Sequence, residues 1–265
     1  MIKVNKDLSQ VPNILTSSPT RGESRITVFQ NNIDSFEYVD EKNSYKVSSI
    51  QKKLNEIYHL KCAYCEQKLL DSPKHIEHYR PKSTYYWLAY SWDNLLLSCG
   101  SCNSAKGNRF ETINSSVPYR NEQFNNIHNL GSAYDIVEEP LIINPEKDDM
   151  INEIIYDKNG KVSSLNNRVQ HTIENACNLN RDELVQLRQI VLTDFINDFN
   201  KHFNIFIKEG GLSRFEPTIE TFFEKCNETE EFYSLRYFIL KHLDIFFVEA
   251  SKQKILEIVI QDLSE

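Results

Sequence analysis

No stretch of this 265-residue chain approaches the roughly 18 consecutive apolar residues that a bilayer-crossing helix needs, so no membrane-spanning segment is expected. The first ten residues are mixed and polar, which argues against a secretory leader and makes the cytoplasm the expected compartment. Internal repeats, low-complexity tracts, a glycine-rich phosphate loop and a Gly-x-Ser-x-Gly nucleophile turn are all missing. Energy-coupled chemistry on a nucleoside triphosphate therefore has no site in this sequence. Cysteine is scarce, with six residues in all, but four of them are paired.

Those pairs are Cys62-Ala63-Tyr64-Cys65 and Cys99-Gly100-Ser101-Cys102. Each C-x-x-C knuckle offers two thiolates from one tight turn, and two knuckles complete the tetrahedral set of a structural zinc. Disulfides are rare in a reducing cytoplasm, so metal is the expected use of the four. Cys177 and Cys226 stand alone in apolar helical contexts and read as small buried residues.

The net charge of −8 is unevenly spread: residues 51–110 carry +4 and the remainder −12. Basic charge is thus concentrated around the knuckles, where a phosphate-facing surface would need it. The acidic helical remainder, above all 216–265 with eleven Asp or Glu against five Lys or Arg, would repel a phosphate backbone. It reads as a surface for docking a protein partner.

Periodicity divides the chain into an N-terminal segment (1–50), a knuckle-bearing region (51–125) and a mainly helical C-terminal region (126–265). Ile50, Leu54, Ile57 and Tyr58 predict an amphipathic helix over 47–59. Lys74 to Tyr79 reads as a short strand stopped by Pro81, and Asn103 to Lys106 as the start of a helix. The Asn-rich stretch 121–129 reads as a surface loop, 141–145 as a short strand, and 154–162 as a hairpin turning at Asn159-Gly160. Beyond 167 the pattern is helical: Leu184, Leu187, Val191, Phe195, Phe199 and Phe203 form a stripe stopped by Gly210-Gly211. A further helix begins at Pro217, and apolar residues dominate 232–248. The fold class expected is α+β, mainly helical, with a zinc-clamped β-β-α motif set in helices.

Between the knuckles lies His75-Ile76-Glu77-His78-Tyr79-Arg80-Pro81-Lys82. Phosphodiester hydrolysis needs a base to activate water and a divalent cation to stabilise charge on the phosphate. Glu77 and His78 supply a ligand type and a base type, and Asn103 follows the last knuckle cysteine. One carboxylate, one amide and water suit Mg2+ or Mn2+ better than a second zinc. Neighbours on a strand point to opposite faces, so Glu77 and His78 act together only where the backbone twists or the metal lies at the strand edge.

These residues resemble the HNH endonucleases, whose pattern of knuckle, acid-His pair, central Asn and second knuckle followed by Asn-x-x-Lys is matched by Cys62/Cys65, Glu77-His78, Asn94 and Cys99/Cys102-Asn103 with Lys106. Within the family, Ile76 to Ser83, Tyr86 to Leu97, Cys102 to Asn108, and Leu179-Asn180-Arg181 with Leu184 and Arg188 are similar to the PtuB-type nucleases of Septu and retron-associated anti-phage systems. The resemblance implies His78 as general base, Glu77 and Asn103 as ligands of the catalytic Mg2+ or Mn2+, and Asn94 as a brace of the loop carrying the base. It further implies DNA as substrate, anti-phage defence as the setting, and a PtuA-type ABC/SMC-like ATPase as partner. The acid differs from the family's commoner Asp or His, and Asn103 stands where His is usual.

Plainer readings exist for each residue. Arg80, Lys82, Lys106 and Arg109 are either solvated charges or, given their clustering, phosphate contacts, which is the reading adopted. His75 is expected to flank the site through hydrogen bonding, and Tyr85, Tyr86, Trp87, Tyr90 and Trp92 to be mostly core. An RNA-cleaving nuclease is an alternative, because phosphate chemistry alone does not read the 2′-hydroxyl. A non-catalytic zinc module is another, opposed by the joint presence of Glu77, His78, Asn94 and Asn103.

Overall fold

The computed structural model describes residues 3–16, 25–210 and 216–264. Its centre is an antiparallel pair, β1 (Lys74–His78) and β2 (Leu95–Cys99), with Lys74 opposite Cys99 and His78 opposite Leu95. All five residues of β2 are buried. A strand covered on both faces reads as an unbroken apolar run, which is why Leu95-Leu96-Leu97 shows no alternation. Helix α4 (Gly100–Lys106) follows directly and packs on both strands, giving the expected β-β-α order.

Ahead of this motif come α1 (Asn13–Thr16), α2 (Arg25–Ser35) and α3 (Ser48–Ile57). Helix α3 is the expected amphipathic helix; it lays the fully buried Ile50 and Leu54 against β2. Helix α2 was not legible: its inward face is Arg25, Val28, Phe29 and Asn32, two of them polar, so the apolar period is broken.

After the motif, α5 (Gly131–Glu138) precedes a hairpin of β3 (Ile155–Tyr156) and β4 (Val162–Ser163). Helix α6 (Asn167–His171) continues as a π-helical turn, Thr172–Ala176, before α7 (Asp182–Glu209). Then follow α8 (Glu216–Glu224), α9 (Tyr233–Lys241), α10 (Leu243–Phe246) and α11 (Ala250–Ser264). Asp182 and Glu183 in the first turn of α7 complement its dipole, and Gly210 ends it at φ +71°. Gly211 lies outside the described residues. The stripe of α7 buries Phe195, Phe199 and Phe203; Phe195 stacks on Phe222 of α8 at 3.8 Å between centroids.

Two expectations are corrected. Residues 141–145 form no strand: Ile142 and Ile143 are buried, but Asn144 accepts from the backbone N–H of Glu146, Lys147 and Asp148 and bends the chain into a turn. Residues 121–129 are not wholly a surface loop, since Phe124–Asn129 form a 3-10 turn that buries Phe124, Ile127 and His128.

The β3–β4 hairpin turns where expected, with Gly160 at φ +74°. A Cβ at this position would lie 3.1 Å from the Val185 carbonyl oxygen and 3.2 Å from Arg188 Cβ, both on α7. Gly160→Ala is therefore expected to destabilise the protein by about 1–3 kcal/mol, from left-handed strain and helix displacement together. Urea unfolding measures this; an unchanged midpoint would contradict it.

The C-terminal helices close over the first knuckle. Buried Glu66, next to Cys65, accepts from the Ser234 N–H at 2.9 Å and its hydroxyl at 2.5 Å. Lys61 donates to the carbonyls of Glu228 and Glu230. Much of the acidic 216–265 segment thus has an inward face committed to the core, including Ile219, Phe222, Leu235, Phe238, Ile239 and Leu256. Deleting it would uncover that core, so any partner surface there must be probed by substitutions on its outer face.

Candidate active site

The four knuckle cysteines meet because α3 ends just before one pair while the junction of β2 and α4 carries the other. Their Sγ atoms all lie within 4.8 Å of one another and all four residues are buried. No disulfide joins them, and the Cys65 and Cys99 sulfurs are 3.8 Å apart. Zn–S bonds of about 2.3 Å in a tetrahedron place sulfurs about 3.8 Å apart, so this donor set fits zinc. The set also has a cationic neighbour: Arg181 Nη1 lies 3.5 Å from Cys102 Sγ and Nη2 3.8 Å from Cys99 Sγ. Four thiolates around Zn2+ carry an excess of negative charge, which the guanidinium offsets. The sequence shows Arg181 only as part of a motif, without this role.

Beside the cage, a cleft of about 180 Å³ is lined by Tyr45, Lys46, His75, Glu77, His78, Lys82 and Asn103. It wraps the end of β1, so Glu77 and His78 both line it despite being strand neighbours. Asn103 enters from α4, immediately after the last cysteine. Nothing in the sequence marks Tyr45 and Lys46 as lining residues, because they arrive from the N-terminal segment by tertiary packing alone.

His78 is held on two sides. Its Nε2 lies 3.0 Å from the Ala89 carbonyl oxygen, and the ring sits edge-on to Tyr45 at 4.5 Å between centroids. A carbonyl only accepts, so Nε2 carries the proton and Nδ1 keeps the lone pair. Burial pushes the imidazole down to about 3, with Lys82, Lys106 and Lys46 acting in the same direction. The ring is neutral at physiological pH.

Glu77 is also buried, and burial raises its carboxyl above the ordinary range against the opposing pull of Lys106. Lys106 Nζ lies 2.8 Å from Glu77 Oε1 and 2.7 Å from the His78 carbonyl oxygen, so one ammonium ties α4 to both residues. Lys106 is fully buried. The expectation that it contacts phosphate is corrected: its ammonium is buried beneath the cleft and engaged by Glu77 and the His78 carbonyl.

Arg80 is likewise corrected. It is 1% exposed, donates to Glu138 Oε2 at 2.9 and 2.8 Å and to Asp135 Oδ1 at 2.6 Å, and lies among the rings of Tyr79, Tyr85, Phe110 and Tyr134. A guanidinium so enclosed is a structural tie between the end of β1 and α5, not a phosphate contact. Sequence could not separate it from a surface arginine, since its partners lie 55 and 58 residues away.

Asn94 accepts from the Arg80 N–H at 2.7 Å and donates to the Arg80 and Leu88 carbonyls at 3.0 and 3.2 Å. It thereby ties both ends of the loop that carries Ala89 toward His78. Lys82 is half-buried at the cleft, and Arg109 is exposed just beyond α4. His75 lines the cleft. Tyr85, Tyr86, Trp87, Tyr90 and Trp92 are all buried, as expected of core residues.

Residues 62–109 match the family model described as HNH endonuclease. The chain is 31% identical over 164 residues to Septu protein PtuB of Bacillus mycoides, which covers 56% of this chain and 52% of that protein. It is 45% identical over 60 residues to Septu protein PtuB of Bacillus thuringiensis, covering 22% of this chain and 23% of the relative. A third similarity, 29% over 161 residues, is to Septu protein PtuA of Bacillus mycoides; it covers 56% of this chain and 21% of that protein. The chain therefore spans about half or less of the length of each relative. Among the described residues no helix is long and apolar enough to cross a membrane.

Proposed function

We propose that this chain, whose residues 62–109 are an HNH endonuclease domain, is the nuclease of a Septu-type anti-phage system, hydrolysing phosphodiester bonds of DNA in concert with a PtuA-type ATPase. The observation that carries the reading is the setting of His78: a buried, neutral imidazole with one nitrogen engaged by Ala89 and the other keeping its lone pair, beside Glu77 and Asn103 in one cleft. That is the state a general base needs before it accepts a proton from water. Glu77 and Asn103 form an oxygen donor set suited to Mg2+ or Mn2+, which when bound would supply Lewis-acid stabilisation of the phosphate and leaving oxygen. His78 would take the proton at Nδ1, Ala89 would fix the ring, and Lys106 would hold Glu77 and the His78 backbone in register.

The test is cleavage of matched duplex DNA, single-stranded DNA and RNA, with and without Mg2+ or Mn2+, by the chain alone and with the co-expressed ATPase. DNA cleavage that needs the cation supports the reading. Cleavage confined to RNA would replace the substrate, and no cleavage in any arm would remove the assignment.

The Glu77–Lys106 pair adds a pH prediction. Lys106 opposes the burial that raises Glu77, so Lys106→Met removes the opposing pull and Glu77 protonates at higher pH. A protonated carboxyl is a poor metal ligand, so the acid limb of kcat/KM should move upward in pH. His78, neutral down to about 3, should contribute no acid limb between pH 5 and 8. Rate–pH profiles of both proteins check this, and a limb unmoved in Lys106→Met would refute it.

A further inference from the structure

Two ammonium groups at the mouth of the cleft lack a carboxylate partner. Lys46 is exposed and Lys82 half-buried, and neither forms an ion pair among the described residues. Both lie over the same ring, with Nζ 5.7 Å (Lys46) and 5.8 Å (Lys82) from the Tyr45 centroid, and Lys82 Nζ is also 3.5 Å from the Tyr38 centroid. The nearby carboxylate, Asp40, is taken up elsewhere: it accepts from Tyr90 Oη at 2.6 Å, from the Ser44 N–H at 2.5 Å, and from the Tyr38 and Ser44 hydroxyls at 3.3 Å. Burial and the charge of Lys46 lower Lys82, against a smaller opposing pull from Asp40.

Like charges gathered beside a hydrolytic cleft cost free energy unless an anion joins them, and a tyrosine face offsets only part of that cost. We propose that Lys46 and Lys82, seated on Tyr38 and Tyr45, form a phosphate clamp that holds the backbone of duplex DNA beside the cleavage cleft. Lys46 comes from the segment before α3 and Lys82 from the loop after β1, so the clamp exists only when the N-terminal segment is packed on the nuclease motif. Tyr45 joins the two functions, because its ring carries the lysines and its edge meets His78. The proposal rests on the cleft being a phosphodiester-cleaving site, yet its test is one of binding.

The measurement is the affinity of the His78→Ala protein for a fluorescent DNA duplex at several salt concentrations. The plot of log affinity against log salt has a slope of about −0.9 per phosphate neutralised. Lys46→Gln and Lys82→Gln should each reduce that slope by about one, the double variant by about two, and Lys46→Arg should keep it. Circular dichroism and zinc content confirm that each variant is folded. Unchanged slopes in both Gln variants, or no duplex binding by the parent, would overturn the clamp. A wild-type chain that binds DNA with the clamp's salt dependence but cleaves neither DNA nor RNA would instead overturn the catalytic reading and leave the clamp standing.

Discussion

His78→Ala is expected to abolish most cleavage while leaving the fold and zinc content intact: if His78 is the general base proposed above, turnover should fall by about two to four orders of magnitude, the range for losing such a group. The ring is buried, so truncation leaves a space beside Tyr45 and frees the Ala89 carbonyl, yet β1 keeps its ladder with β2 and Lys106 still binds the backbone carbonyl of residue 78. Loss of activity should therefore greatly exceed loss of stability. The contrast with Glu77→Ala is diagnostic. Removing the carboxylate should weaken cation binding, so raised Mg2+ or Mn2+ should restore part of the rate, whereas no metal concentration should restore His78→Ala. Single-turnover cleavage against metal concentration reads both. If His78→Ala cut at the wild-type rate, the base would have to be another group.

Cys99→Ser is expected to lose zinc and most of the soluble, folded protein. Cys99 Sγ belongs to the cage, caps α4 by accepting from the Cys102 N–H at 3.3 Å, and meets Arg181. Free energies of structural zinc binding in small peptides reach about 10–16 kcal/mol, comparable with the whole stability of a domain. Without the metal, four buried thiols have no partner of sufficient strength to hold the first knuckle to α4, and Glu77, His78 and Asn103 lose their common frame. Cys177 is the control: it is equally buried but outside the cage, and Cys177→Ser should retain zinc and lose at most about 1–3 kcal/mol by burying a hydroxyl. Metal analysis with thermal unfolding separates the two. A Cys99→Ser protein with one zinc per chain and an unchanged Tm would refute a structural role for the metal.

The order β1, β2, α4 and the zinc cage were legible because they depend on local spacing: a knuckle needs only two cysteines and a turn, and the strand and helix signals adjoin it. The same locality made the α7 stripe and the Gly160 turn readable. Expectations failed where the deciding partner is remote. Arg80 and Lys106 look in sequence like the other cations of a basic cluster, and only the positions of Glu138, Asp135 and Glu77 turn them into buried ties. Residues 141–145 have a strand's composition, but the Asn144 turn fixes a different path.

The sequence by itself determined which groups can do chemistry: four thiolates, one carboxylate, one imidazole and two amides, at spacings that a clamped β-β-α motif brings together. Tertiary structure decided their states. It chose the Ala89 carbonyl as partner of His78 Nε2 and so left the lone pair on Nδ1, set Lys106 against Glu77, placed Arg181 on the cage, and delivered Tyr45 and Lys46 from the N-terminal segment to the cleft. Protonation and ion pairing depend on burial and on charges a few ångströms away, and those distances are set by packing between segments far apart in the chain.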